Sequence, residues 1–204
     1  ACSQELGSLV SLRRVCVFCG SSRGIRPEYA EAARNVGEEL LARGLELVYG
    51  GGNIGLMTVV ADVVMQGGGR VIGVLPRGLE SREVAHRGLT ELRVVSSMHE
   101  RKATMASLSD AFITLPGGIG TFEETLEVMT WSQLGIHQKP CGLLNVQGFY
   151  DGLLAFLEHS VEEGFMQREN KDRLLVAQEA GALLDQLIDY VPGSQERWLD
   201  PDEI

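Results

Sequence analysis

Two short stretches of this chain carry residue types at spacings that could do chemistry. The first is Pro116-Gly117-Gly118-Ile119-Gly120-Thr121-Phe122-Glu123-Glu124, which follows the apolar run Phe112, Ile113, Leu115. Three glycines in four residues allow a tight turn and close backbone approach to a ligand. The amphipathic segment beyond them reads as a helix start, whose unpaired N–H groups and positive dipole end suit a phosphate. Thr121 either caps that helix or donates its hydroxyl to a phosphate oxygen. Glu123 and Glu124 read as first-turn residues, where a plain anion cradle would not want carboxylates, and that tension points to a further task. The competing reading is structural. Thr121 to Glu124 fits a capping box worth about 1 kcal/mol, and Glu123 complements the helix dipole.

The second stretch is Met98-His99-Glu100-Arg101-Lys102, at the start of the preceding helix. Arg101 and Lys102 are cations at the helix end whose dipole disfavours them. Turned towards the glycine loop, they would supply positive charge that a chain of net charge −10 otherwise lacks. His99 has no fixed partner and reads as structural.

A third glycine run, Gly50-Gly51-Gly52-Asn53-Ile54-Gly55, satisfies G-x-G-x-x-G between a strand and a helix. A dinucleotide site also needs an acidic residue about twenty positions on to hold a ribose. The next strand instead ends Gly73-Val74-Leu75-Pro76-Arg77, which disfavours NAD and leaves ligand contact and a tight strand–helix connection evenly matched. The four histidines show no metal-binding spacing, and no G-x-S-x-G elbow is present. None of Lys102, Lys139 and Lys171 sits in a pyridoxal-phosphate setting. Cys16 and Cys19 form a C-x-x-C within a strand, where residues three apart face opposite sides, so they read as buried thiols of a cytosolic protein.

The elements that must position these groups alternate regularly. Strands are expected at 13–19, 45–49, 71–75, 92–95, 111–115, 141–146 and 174–177. Helices are expected at 27–43, 56–66, 97–108, 121–139, 149–163 and 182–191. Residues 77–91 form the longest stretch without a period, and 1–12 and the tail after Pro192 read as loose ends. Nearly all-apolar strands alternating with helices imply a doubly wound, Rossmann-like α/β fold, a mainly parallel sheet with helices on both faces. A single nucleotide-binding domain over 1–204, with its core at about 13–191, is expected. Ligands of such sheets bind at the carboxyl ends of the strands. That gathers Gly20-Ser21-Ser22, Gly50 to Gly55 and Pro116 to Thr121 along one edge.

Composition excludes several classes. Apolar residues make up 44% and charged ones 23%, as in a soluble globular protein. The net negative charge argues against nucleic acid or an anionic membrane as partner. No run reaches the ~20 apolar residues of a spanning helix, and the N-terminal residues lack a secretion-signal pattern, so a cytoplasmic location is expected.

Pro116 to Glu124 matches P-G-G-x-G-T-x-x-E and so resembles the LOG ("lonely guy") family of cytokinin-activating phosphoribohydrolases. The Met98 to Lys102 stretch, the run from Tyr49 to Met57 and the strand end Cys19-Gly20-Ser21-Ser22 are similar to that family too, and the likeness covers about residues 13 to 191. It implies hydrolysis of the N-glycosidic bond of an adenosine 5′-monophosphate, characteristically N6-modified, giving free base and ribose 5-phosphate. It implies Arg101 and Glu124 as the catalytic pair. Glu83 matches a substrate-contacting position of the family. The expected substrate-binding set is Gly20, Ser21, Gly51, Gly52, Asn53, Glu83, Met98, Arg101, Lys102, Gly117, Gly118, Ile119, Gly120, Thr121, Phe122, Glu123 and Thr130. Thr130 and its neighbour Trp131 would complete the pocket or a homodimer surface. No cofactor and no metal is expected, and the partners implied are the small nucleotide and further copies of the chain. The rival reading is a nucleotide-binding or carrier module without chemistry, which needs the glycine turns but not Glu124 and Arg101. A third, amino-acid decarboxylation, would need pyridoxal phosphate.

Overall fold

A computed structural model of the chain describes residues 12–79, 85, 86 and 88–193. Seven strands form one sheet: β1 (Arg14–Phe18), β2 (Glu46–Tyr49), β3 (Val71–Pro76), β4 (Glu91–Val95), β5 (Ala111–Thr114), β6 (Cys141–Leu144) and β7 (Leu174–Ala177). Every pairing is parallel, and the spatial order is β4-β3-β2-β1-β5-β6-β7. The helices between them are α1 (Pro27–Ala42), α2 (Gly55–Gln66), α3 (Met98–Leu108), α4 (Ile119–Gln133), α5 (Asp151–Glu162), the five-residue α6 (Arg168–Asp172) and α7 (Ala180–Ile188). The expected doubly wound parallel sheet is the one found.

Strand periodicity divides the core in two. Along β1, Val15 and Val17 turn with Cys19 into the layer beneath α1, α2 and α7, while Cys16 and Phe18 join Met105 of α3, Val128 of α4 and Leu157 of α5. Helices therefore cover both faces of the inner strands, and β3, β5 and β6 are almost wholly apolar, while the edge strand β4 carries Glu91 and Arg93 and is mostly exposed. The same alternation sends Cys16 and Cys19 into opposite layers. Burial pushes both thiols up, so neither is a thiolate at neutral pH.

Chain direction reverses at β1. After β1 the strands are laid outwards to β4, and β5 then returns to the other side of β1. The loops following β1 and β5 part at this switch point and frame a crevice at the carboxyl edge. They are tied together by Gly20 N–H to Pro116 O at 3.0 Å. The start of α2 docks on the same loop through Leu56 N–H to Gly20 O at 3.0 Å. Only glycine fits at Gly55, where φ is +60° and a Cβ would lie 2.3 Å from the Ser21 carbonyl carbon.

His137, between α4 and β6, accepts the Lys139 N–H at Nδ1 (3.1 Å) and packs 5.4 Å from the Phe112 ring. Burial first, and the nearby Lys139 charge second, lower its pKa to about 4. The neutral ring is thus favoured by folding. Its contribution is full above the unfolded value near 6.5 and is lost as pH falls from there towards 4. Between pH 7 and pH 5 the wild-type protein should lose about 2 kcal/mol more stability than His137→Asn, measured by urea unfolding at the two pH values.

Candidate active site

Two neighbouring strands and two helices meet around one guanidinium. Arg101, in the first turn of α3, is 6% exposed. Its Nε donates to Val74 O of β3 at 3.1 Å, and its Nη2 donates to Gly50 O, just beyond β2, at 2.9 Å. Nη1 lies 3.9 Å from Met98 Sδ and 3.9 Å from Glu124 Oε1 on α4. Two backbone carbonyls thus satisfy a charge that burial would otherwise make costly. The second distance is ion-pair range, beyond a hydrogen bond.

That arrangement explains the first glycine of the G-x-G-x-x-G run. A Cβ on Gly50 would lie 2.0 Å from Arg101 Nη2. The close approach Gly50 permits is therefore made by Arg101, not by a pyrophosphate. Gly51, at φ +74°, and Gly52 are buried, and Ala85 and His86 lie across them: Ala85 bridges Gly52, and His86 N–H donates to Gly51 O at 3.2 Å. Asn53 is exposed, and its Oδ1 accepts from the Thr58 hydroxyl.

α4 begins two residues before Thr121. Gly118 is its N-cap, without a side-chain cap bond, and Phe122 N–H makes a bond back to Gly118 O at 3.0 Å. The expected capping box at Thr121–Glu124 is therefore not formed. Thr121 is 4% exposed and packs beneath Gly117, where a Cβ would meet its hydroxyl at 2.2 Å. The expected first-turn position of the two glutamates is also corrected: no acidic residue lies in the first turn, and both sit in the second. The amides of Ile119, Gly120 and Thr121 are left without intrahelical acceptors, and no carboxylate on the first turn repels an anion there. Gly118, Ile119 and Gly120 are exposed, and open space lies where a Cβ of Gly118 or Gly120 would be.

Lys102 turns away from the glycine loop. Its Nζ donates to Glu123 Oε1 at 2.5 Å and to Glu127 Oε1 at 2.8 Å, joining α3 to α4. Burial alone would depress the ammonium, but the two carboxylates together hold it above its usual value. Glu123, left open between substrate contact and dipole partner, thus has Lys102 as its neighbour. Ser97 caps α3 by accepting Glu100 N–H at 3.1 Å, and the Glu100 carboxylate in turn accepts from the backbone N–H and hydroxyl of Ser96.

Other expected residues are arranged around this centre. Ser21 lines a cleft of about 280 Å³ between the loops after β1 and β5, together with Gly20, Gly117 and Gly118. Tyr29 and Phe149 wall the same cleft, edge to face at 5.6 Å, and neither stands out in the sequence as a site residue. Phe122 packs edge-on against Tyr150, and Met98 is 43% exposed beside Arg101. Thr130 is exposed further along α4 and returns its hydroxyl to Leu126 O, outside this group. Glu83 falls outside the described residues. Among the described residues no cluster of three or more His, Cys, Asp or Glu side chains could hold a metal, and no helix is long and apolar enough to cross a membrane.

A family model described as possible lysine decarboxylase matches residues 57–187. The cytokinin riboside 5′-monophosphate phosphoribohydrolase LOG of Oryza sativa subsp. japonica is 54% identical over 88% of this chain and 74% of its own. A cytokinin riboside 5′-monophosphate phosphoribohydrolase of Arabidopsis thaliana is 52% identical over 88% of this chain and 84% of its own. Among solved structures, the molybdenum cofactor carrier protein of Chlamydomonas reinhardtii superposes with a TM-score of 0.66 at 21% identity. That match covers 88% of this chain and 99% of the carrier, a likeness of fold.

The geometry at Gly50 can be tested without any ligand. Gly50→Ala should cost roughly 3 kcal/mol, because displacing Arg101 leaves a buried charge without its carbonyl partner. In an Arg101→Ala background the same change should cost less than about 1 kcal/mol. Equal costs in the two backgrounds, read from a double-mutant cycle by urea unfolding, would sink the contact.

Proposed function

Since the chain belongs to the family that this model defines and that includes the LOG cytokinin riboside 5′-monophosphate phosphoribohydrolases, we propose that it hydrolyses the N-glycosidic bond of N6-modified adenosine 5′-monophosphates. The products are the free base and ribose 5-phosphate. The observation that carries the reading is the Arg101–Glu124 pair, 3.9 Å apart and largely shielded from solvent beside the crevice. Phosphate binding alone needs neither group.

The chemistry follows from charge. As the bond from C1′ to the base nitrogen breaks, its electron pair leaves with the base, which takes up a proton, and positive charge develops on the ribose ring. Glu124, on the second turn of α4, stabilises that charge or orients the water whose oxygen bonds to C1′. Arg101 orients Glu124 or the sugar hydroxyls. The open first turn of α4, with Gly118, Ile119 and Gly120, takes the 5′-phosphate and fixes the ribose over the carboxylate. Low dielectric around the pair strengthens each of these interactions.

The name of the family model suggests a different reaction, which the lysines do not fit. A pyridoxal-phosphate enzyme needs an amine placed to form a Schiff base. Lys102 is held between Glu123 and Glu127, Lys139 donates to Ala106 O, and Lys171 pairs with Glu158. Further copies of the chain as partners, and a cytoplasmic location, remain part of the same proposal.

Incubation with AMP and with N6-isopentenyl-AMP should release adenine and isopentenyladenine together with ribose 5-phosphate, resolved by chromatography. Glu124→Gln should keep nucleotide binding and lower kcat at least ~100-fold. Folded protein that binds nucleotide and releases no base would overturn the hydrolase reading, and full turnover by Glu124→Gln would overturn the role of that residue.

A further inference from the structure

His86 is a buried histidine with no part in the chemistry proposed above. It is 8% exposed, and its Nε2 lies 3.0 Å from Asp62 Oδ1 on α2. Its backbone N–H donates to Gly51 O at 3.2 Å, and its neighbour Ala85 bridges Gly52. One residue thus clips the return from β3 to β4 both to helix α2 and to the glycine run after β2. The run is pressed from below as well, since a Cβ on Gly51 would touch Val74 and Leu75 of β3 at 3.3 Å. The carbonyl next to this clamp, Gly50 O, is the one that holds Arg101 Nη2.

We propose that His86 and Asp62 are positioning residues for Arg101, acting through the backbone of Gly50–Gly52. The role as a determinant of turnover rests on the hydrolase reading above; the mechanical coupling to Arg101 does not. The physical reason is the character of the run itself. Three consecutive glycines have the largest conformational freedom of any tripeptide, so the direction of the Gly50 carbonyl is not fixed by local sterics. It must be fixed by neighbours, and His86 supplies one hydrogen bond to the run and a ring anchored on a separate helix. With the ring gone, the glycines relax, the Gly50 carbonyl swings, and the guanidinium loses the bond that sets its distance to Glu124. A misplacement of that kind acts on the transition state more than on ground-state binding, so kcat falls while KM stays nearly constant.

The experiment combines two readouts on the full chain. In His86→Ala and Asp62→Ala, the Arg101 Nη2 protons, which Gly50 O accepts, should exchange with solvent at least tenfold faster than in wild type by nitrogen-15 NMR. For hydrolysis of N6-isopentenyl-AMP, kcat should fall about tenfold in both variants with KM changed less than twofold. The double variant should be no worse than either single one, because one contact has been removed twice. His86→Gln, whose amide can still reach Asp62, should recover most of both losses. If the Arg101 Nη2 protons keep their protection in His86→Ala and Asp62→Ala while both stay folded, the inference fails. It also fails if the two substitutions act additively on exchange. Wild-type protein that releases no base, with the exchange result as expected, would overturn the hydrolase reading and leave the positioning of Arg101 standing.

Discussion

A buried guanidinium that has to be paired is the constraint on which the rest of this structure turns. Arg101 cannot lose its charge, so folding around it demands acceptors at fixed places. The parallel sheet provides them where the pairing of β2 with β3 stops, at Tyr49 and Gly73, and the carbonyls just beyond it are met by a side chain instead. Val74 O and Gly50 O are two such groups, and they take Nε and Nη2. Much else follows: residue 50 can carry no side chain, α3 must start directly beyond β4, and α4 must lie where Glu124 meets the third nitrogen. The next residue in sequence, Lys102, then falls on the flank of α3 that faces α4, where Glu123 and Glu127 receive it.

Charge also decides where an anion can go. A chain of net charge −10 repels phosphate at long range, so capture has to be local. Local capture is what the start of α4 offers, three amides without intrahelical acceptors and no acidic side chain in the first turn. The two carboxylates come about one turn, roughly 5 Å, further along. A shift of a few residues on one element thus keeps the first turn free of acidic side chains while two carboxylates lie close by, as the proposed reading requires.

Much of this was legible in the sequence, for identifiable reasons. Strands such as Val71–Pro76 are apolar throughout and bounded by glycine and proline, so their number and their parallel packing could be read directly. The start of α4 could not. Thr121 to Glu124 imitates a capping box, but the helix begins at Ile119 because the Pro116 carbonyl is fixed by Gly20 of a loop almost a hundred residues away. The direction of Lys102 is not in the local pattern, because its partners Glu123 and Glu127 lie on a different helix. α6 escaped notice since five residues are too few to show a period. His86 sat in a stretch without periodicity, and only the folded chain brings it to Asp62 and Gly51.

The architecture by itself does not choose a function, since a molybdenum cofactor carrier shares it at 21% identity. The choice must come from features a binding module would be better without. Burying Arg101 and Glu124 costs several kcal/mol per ion before their mutual attraction is counted, and apolar side chains of similar volume would serve stability as well or better. A cradle built from glycine amides and a helix start gains nothing from that expense. A reaction that builds positive charge on a sugar does, because a carboxylate already largely shielded from solvent and placed beside a fixed guanidinium needs little reorganisation when the charge appears. Glu124, the awkward carboxylate beside the glycine turn, therefore favours chemistry over binding alone, and the buried Arg101 3.9 Å from it is the stronger half of the pair.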